Sequence, residues 1–217
     1  MRYFQKKDTP QFFIDDTENL REKLSKLDNK KDKNKVWNSD YKKKKNLKEF
    51  ILEKEQDYLC CYCECKIDTD NTHIEHIKPK HLDLENLTFD YKNLIISCQG
   101  NTLSNSNRES SCGHNKDKNF DDNLFLNPTI EKNIQKSFYY SIETGEILSE
   151  DEKGEYMIKI LNLNDKLNNL PRARRDSLEA FEEVAKNFPI EKRKEILNRK
   201  NYPFISFLQF AYKNIDK

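Results

Sequence analysis

All six cysteines of this 217-residue chain lie between Cys60 and Cys112. Disulfides that stabilise a secreted domain are distributed over its fold, whereas thiols confined to one stretch point to a metal. Cys60 and Cys63 stand in C-x2-C spacing, a tight turn that lets two thiolates converge on one tetrahedral zinc ion. Cys98 and Cys112 can supply the other pair, although the 13 residues between them exceed a usual knuckle. The run "CCYCEC" also permits other registers, such as Cys61 with Cys65; in the first register Cys61 packs inward and Cys65 is spare and exposed. Four thiolates leave no open position for a substrate, so this Zn²⁺ is expected to be structural. A middle section with short β-like pieces and few aliphatic residues needs such a staple.

Between the cysteine pairs lies "HIEHIKPK", residues 73–80, which holds two of the four histidines in the chain. On a strand, neighbouring side chains point to opposite faces, so Glu75 and His76 can take different tasks. Glu75 offers a hard oxygen suited to Mg²⁺ or Mn²⁺. His76 can accept a proton from water near neutral pH. Phosphodiester hydrolysis uses both functions, a cation at the phosphate and a base for the attacking water. His114, just past Cys112, is the natural second cation ligand, because a zinc that gathers Cys112 to Cys60 also brings His114 toward the strand. His73 and His81 read as well as surface polar residues. A zinc protease does not fit, since that chemistry places two histidines four apart on a helix.

These residues resemble the HNH nuclease superfamily, the ββα-metal or treble-clef nucleases. The resemblance rests on Cys60 and Cys63, the pair Glu75-His76, Asn93-Leu94 ahead of Cys98, then Cys112, His114 and Lys116. Finer texture, in "LCCYCECKI", "IEHIKPK", "YKNLIISCQG", "CGHNKD" and the N-terminal "MRYFQKKDTP", is similar to the small HNH proteins of Septu and retron anti-phage systems. The resemblance implies a zinc held by Cys60, Cys63, Cys98 and Cys112, and a catalytic Mg²⁺ or Mn²⁺ held by Glu75 and His114. It also implies that His76 is the general base and that Asn93 holds the loop and helps orient His76. A defence role, a DNA substrate and an SMC-like or ABC-type ATPase partner follow from it as well. Two departures stand out: Glu75 replaces the commoner Asp, and Gly113 follows the fourth cysteine, which leaves His114 and Asn115 both open as second ligand. Lys78, Lys80 and Lys116 lie near the pair and could contact phosphates, which positions a duplex without reading its sequence.

The implied fold is α+β: a zinc-stapled ββα-metal core over residues 58–128, an N-terminal helical segment over 1–57, and a small antiparallel hairpin region with C-terminal helices over 129–217. Residues 1–14 look extended, with Pro10 interrupting any helix, and Leu20, Leu24 and Leu27 mark a helix capped by Asp16 or Thr17. The polar, lysine-rich residues 28–45 read as an exposed loop, and a second helix is expected over about 47–59. "SFYYSI", "GEILSE" and "EYMIKILNL" read as strands joined by turns at Gly145 and Gly154. Helical spacing of Leu178, Phe181 and Val184 follows Pro171, and Phe204, Phe207, Phe210 and Tyr212 mark a last apolar helix, buried in its own layer or packed on a partner. The polar loop 101–111 can cover the zinc or order on binding.

Composition narrows the rest. Hydrophobic residues are only 35% of the chain, yet 13 Phe and 10 Tyr supply large buried surfaces. Lys and Arg total 39 against 38 acidic residues, so overall charge does not argue for nucleic acid. The runs at Lys42–Lys45 with Lys48, and at Arg172, Arg174 and Arg175, read as solvated helix faces. No apolar run approaches 18 residues and no signal-like segment is visible, so a cytoplasmic protein with no membrane partner is expected. The rival to an enzyme is a non-catalytic zinc treble-clef module that binds nucleic acid or protein, which would have no use for Glu75 beside His76.

Overall fold

The computed structural model describes residues 1–100, 110–166, 169–199 and 202–214. Helices surround two small antiparallel sheets, an α+β arrangement. Helix α1 (Gln11–Ser25) starts directly after Pro10, earlier than the sequence suggested. Proline is tolerated there because the first turn has no use for its missing N–H. Thr17 is consequently not a cap: it is buried mid-helix and donates to the Phe13 carbonyl at 2.7 Å.

The lysine-rich stretch is not a loop. Asn29 caps α2 (Lys30–Lys35) by accepting from the Asp32 N–H, and the chain continues through a π-helical turn, Val36–Asp40. That turn buries Val36 and Trp37, with Tyr41 following. Its apolar residues are too few to show a period, so only their partners reveal them. Helix α3 (Lys44–Ile51) ends in a second π turn, Leu52–Gln56, and the chain reverses through Asp57 and Tyr58 at positive φ. Lys48, in the first basic run, donates to the carbonyls of Thr69 and Thr72 at 2.8 and 2.7 Å.

Strand β1 (Thr72–His76) pairs antiparallel with β2 (Leu94–Cys98), placing Glu75 opposite Ile95 and His76 opposite Leu94. The connection contains a short helix, α4 (Leu84–Leu87), between two single 3-10 turns. The outer edge of β2 is closed by Gln56, whose amide donates to the Ile96 carbonyl and accepts from the Ile96 N–H, both at 2.8 Å. A side chain thus satisfies the backbone groups that an open edge would leave unpaired. Helix α5 (Cys112–Lys116) then lies against this pair.

Strands β3 (Tyr139–Tyr140) and β4 (Ile147–Leu148) form the expected hairpin. The third expected strand is instead helix α6 (Glu152–Ile160): Asp151 caps it by accepting from the Gly154 N–H at 2.7 Å. Gly154 serves close packing rather than a turn, since a Cβ there would sit 2.1 Å from Ser149 Oγ. Helices α7 (Leu170–Ala185), α8 (Ile190–Leu197) and α9 (Ile205–Asn214) follow. Leu178 and Phe181 are buried in α7, but Val184 is 70% exposed and takes no part in the core. Arg174 is buried, donating to the carbonyls of Gly145 and Leu163, so it does not join Arg172 and Arg175 in a surface patch. Phe204, Phe207 and Tyr212 are buried within the chain's own core, against Tyr140 and Phe181 among others. Among the described residues, no helix is long and apolar enough to cross a membrane.

Candidate functional site

Four sulfurs meet where the knuckle, the end of β2 and the start of α5 converge. The Sγ atoms of Cys60, Cys63, Cys98 and Cys112 all lie within 4.8 Å of one another. Tetrahedral zinc with bonds of about 2.3 Å needs sulfurs about 3.8 Å apart, and Cys63 Sγ to Cys98 Sγ is 3.9 Å. The donor set therefore fits a structural metal ion such as Zn²⁺. Among the described residues it is the one group of three or more such side chains that converges this tightly. The turn itself is held by the Cys60 N–H on the Cys65 carbonyl and the Glu64 N–H on the Cys60 carbonyl. The backbone N–H of Cys98 points at Cys60 Sγ, 3.3 Å away. A hydrogen bond from Cys112 holds the Cys98 thiol well below its ordinary value, at about 5, which favours the thiolate. Cys61 packs inward as expected, and Cys65 is half-buried rather than exposed. Glu64, at the tip, accepts from Ser206 N and Ser206 Oγ, which ties α9 to the knuckle.

The second site is a cleft of about 410 Å³ lined by His73, Glu75, His76, Lys80, Gly113 and His114, among others. Strand alternation turns His73 and Glu75 toward α5 and His76 away from them, yet all three line the cleft. Lys116 is fully buried, and its ammonium pairs with Glu75 Oε1 at 2.7 Å and donates to the His76 carbonyl at 3.1 Å. Placement on a phosphate, expected from the sequence, does not survive: with no exposed surface and both contacts inward, Lys116 restrains Glu75 instead. The other carboxylate oxygen, Oε2, faces His73 Nε2 at 3.3 Å. Gly113 is small for a local reason. A Cβ there would lie 2.6 Å from His73 Nε2 and 2.7 Å from Glu75 Oε2.

His76 is held by groups far away in sequence. Its Nε2 lies 3.1 Å from the Thr88 carbonyl. A carbonyl can only accept, so Nε2 carries the proton and Nδ1 keeps its lone pair. Burial pushes the His76 pKa down to about 4, so the ring is neutral at physiological pH. Trp37 packs edge-on against it, with ring centroids 4.7 Å apart. The side-chain hydrogen bonds of Asn93 go to groups other than the His76 ring. It clamps Lys78, accepting from its N–H and donating to its carbonyl, and it also donates to the Leu87 carbonyl, one residue before Thr88. The loop that carries the Thr88 acceptor is thereby held in place.

Of the two possible second ligands, Asn115 turns away and donates to the Ile160 carbonyl, whereas His114 lines the cleft. His114 Nε2 lies 2.8 Å from Gln99 Oε1, and its ring lies against His73. Lys78 is partly exposed and pairs with Asp122 at 2.9 Å. Lys80 lines the cleft, and burial pushes its pKa down to about 8. Residues 101–109, which hold most of the expected zinc-covering loop, lie outside the described residues.

Sequence reasoning missed Trp37, Thr88 and Gln99. The one available signal was Trp37, a lone tryptophan in an otherwise polar run. Trp37→Ala is expected to cost about 3–5 kcal/mol of stability, as for a buried aromatic ring truncated to a methyl group. The urea midpoint should fall with an unchanged slope; an unchanged midpoint would mean that residues 30–40 do not dock on the strand.

Fold and sites together describe a metal-binding module built on a two-stranded sheet and a short helix. No family model matches the chain. Over 76 residues it is 38% identical to a Vibrio cholerae retron Vc95 protein whose name proposes an HNH endonuclease, a match covering 34% of each chain. Over 135 residues it is 27% identical to the Septu protein PtuB of Bacillus thuringiensis, covering 60% of this chain and 44% of that protein. The matches thus span between about a third and under half the length of these curated relatives. The chain is thus distantly similar to HNH- and Septu-associated proteins and carries a cysteine cluster that could hold a metal ion.

Proposed function

We propose that the chain is an HNH endonuclease that hydrolyses DNA phosphodiester bonds, with β1, β2 and α5 as its ββα-metal (treble-clef) core. The observation that carries this is the arrangement of His76: Nε2–H on the Thr88 carbonyl, Nδ1 with its lone pair, and the Glu75 carboxylate in the same cleft. His76 Nδ1 takes a proton from water. The resulting hydroxide forms a bond to phosphorus as the bond to the 3′ oxygen breaks, and the departing alkoxide is protonated by solvent. The carboxylate suits Mg²⁺ or Mn²⁺ and an imidazole favours the transition ion of the two, and Glu75 with His114 would hold the ion. When bound, such an ion supplies positive charge beside the phosphate and the departing oxygen. Asn93 keeps the loop in register, and Lys78 and Lys80 are the lysines available to backbone phosphates.

The retron and Septu names of the relatives favour an anti-phage role in a bacterial cytoplasm. An SMC-like or ABC-type ATPase as partner, and domain limits at residues 57 and 128, belong to the same proposal. The test is cleavage of supercoiled plasmid by zinc-loaded protein, alone and co-expressed with that ATPase, with Mg²⁺, Mn²⁺ or EDTA. Divalent-dependent nicking or linearisation that falls at least about 100-fold in Glu75→Gln supports an enzyme. Silence of folded wild-type protein in both arms overturns it and favours the non-catalytic binding module.

A further inference from the structure

The functional reading leaves His73 unused, yet its surroundings are not those of a surface histidine. Its Nδ1 is buried without a hydrogen-bond partner among the described residues, and its Nε2 faces only Glu75 Oε2. A ligand role through Nε2 places the ring proton on Nδ1. Three neighbours shape the space around it. Lys116 occupies Glu75 Oε1 and so leaves Oε2 as the oxygen facing His73. Gly113 withholds the one carbon that would fill the gap between Oε2 and Nε2. The His114 ring lies alongside, with centroids 4.1 Å apart.

Donor spacing gives the pair a chemical meaning. Two ligand atoms at adjacent corners of an octahedron with bonds of about 2.1 Å lie about 3.0 Å apart. His73 Nε2 and Glu75 Oε2 are 3.3 Å apart. His114 is arranged differently. Gln99 donates through its amide nitrogen to the Thr72 carbonyl at 3.1 Å, which turns its Oε1 toward His114 Nε2. The Nε2 of His114 is therefore the protonated nitrogen, and Nδ1 is the one free to ligate, oriented by a second residue as metal-bound histidines usually are.

We propose that His73 is a ligand of the same divalent cation as Glu75, the pair whose donor atoms stand at ligand spacing; His114, whose donor is not drawn in as tightly as the four sulfurs are, stays the further ligand assigned above, with Gln99 as its positioning residue. The proposal rests on the nuclease reading, but it is tested by binding rather than by cleavage. Zinc-loaded full chain is titrated with Mn²⁺ and followed by electron paramagnetic resonance, with electron spin-echo envelope modulation reporting ¹⁴N nuclei coupled to the bound ion. Wild type should bind one Mn²⁺ beyond the zinc and show histidine nitrogen coupling. In His73→Gln the modulation should weaken and the Mn²⁺ Kd rise by at least about 10-fold, with zinc content unchanged.

Bound Mn²⁺ with the same Kd and modulation in His73→Gln overturns the ligand role and leaves the nuclease reading standing. A wild-type protein that binds no Mn²⁺ removes both. Should His73→Gln not fold, anomalous diffraction from wild-type crystals soaked in Mn²⁺ decides instead. A manganese peak within bonding distance of a His73 nitrogen supports the proposal, and a peak on Glu75 alone sinks it.

Discussion

Cys112→Ser is expected to release the zinc and abolish cooperative unfolding of the core. Cys112 is fully buried, its N–H donates to the Leu161 carbonyl at 2.8 Å, and it begins the helix that carries Gly113, His114 and Lys116 to β1. The four sulfurs join three segments of the chain, the knuckle, the end of β2 and the start of α5. Structural zinc contributes on the order of 10–16 kcal/mol in small zinc modules, comparable to the whole stability of a domain. Metal analysis should fall from about one zinc per chain to none, and the thermal transition should broaden or vanish. Cys61→Ser is the control: its sulfur lies outside the four, so zinc should remain and only a modest loss of stability appear. Full zinc occupancy with an unaltered transition in Cys112→Ser would mean that another donor completes the set.

His76→Ala should remove cleavage while leaving both metals in place. A positioned general base contributes about 10²–10⁴-fold to rate, so that is the expected loss under single-turnover conditions. Specificity of the effect follows from strand alternation: His76 projects away from the face that carries His73 and Glu75, so Mn²⁺ affinity should hold. Some stability is lost as well, because the ring packs on Trp37 and bonds the Thr88 carbonyl. His76→Gln retains more of that packing and should be equally inactive. Wild-type cleavage by either variant would remove His76 as the base.

Much of the site was legible because its signals are short in sequence. The C-x2-C spacing constrains two thiolates through a single turn, and the alternation of His73, Glu75 and His76 follows from strand geometry alone. Local signals were also misread where two rules compete. Proline inside a helix interrupts it, but Pro10 stands at the residue before the first turn and starts one. "SEDEKGEYMIKI" carries β-branched and aromatic residues that suggest a strand, yet Asp151 caps its first turn and Met157 and Ile160 fall on one helical face. The lysine-rich run around Trp37 has too few apolar residues for any period to emerge.

By itself the sequence determined that a cluster of thiols is available to share an ion, with Cys60 and Cys63 in one turn, and that Glu75 and His76 alternate on one strand. Only the tertiary structure decided how those groups are held. Lys116, which its place in the sequence suits to a phosphate, is the partner of Glu75, while Thr88 and Trp37 set the state and orientation of His76. The physical reason is distance along the chain. A ligand spacing is a covalent constraint over a few residues, whereas a buried ammonium, a carbonyl acceptor or an aromatic wall acquires its role only when folding brings a remote segment against it.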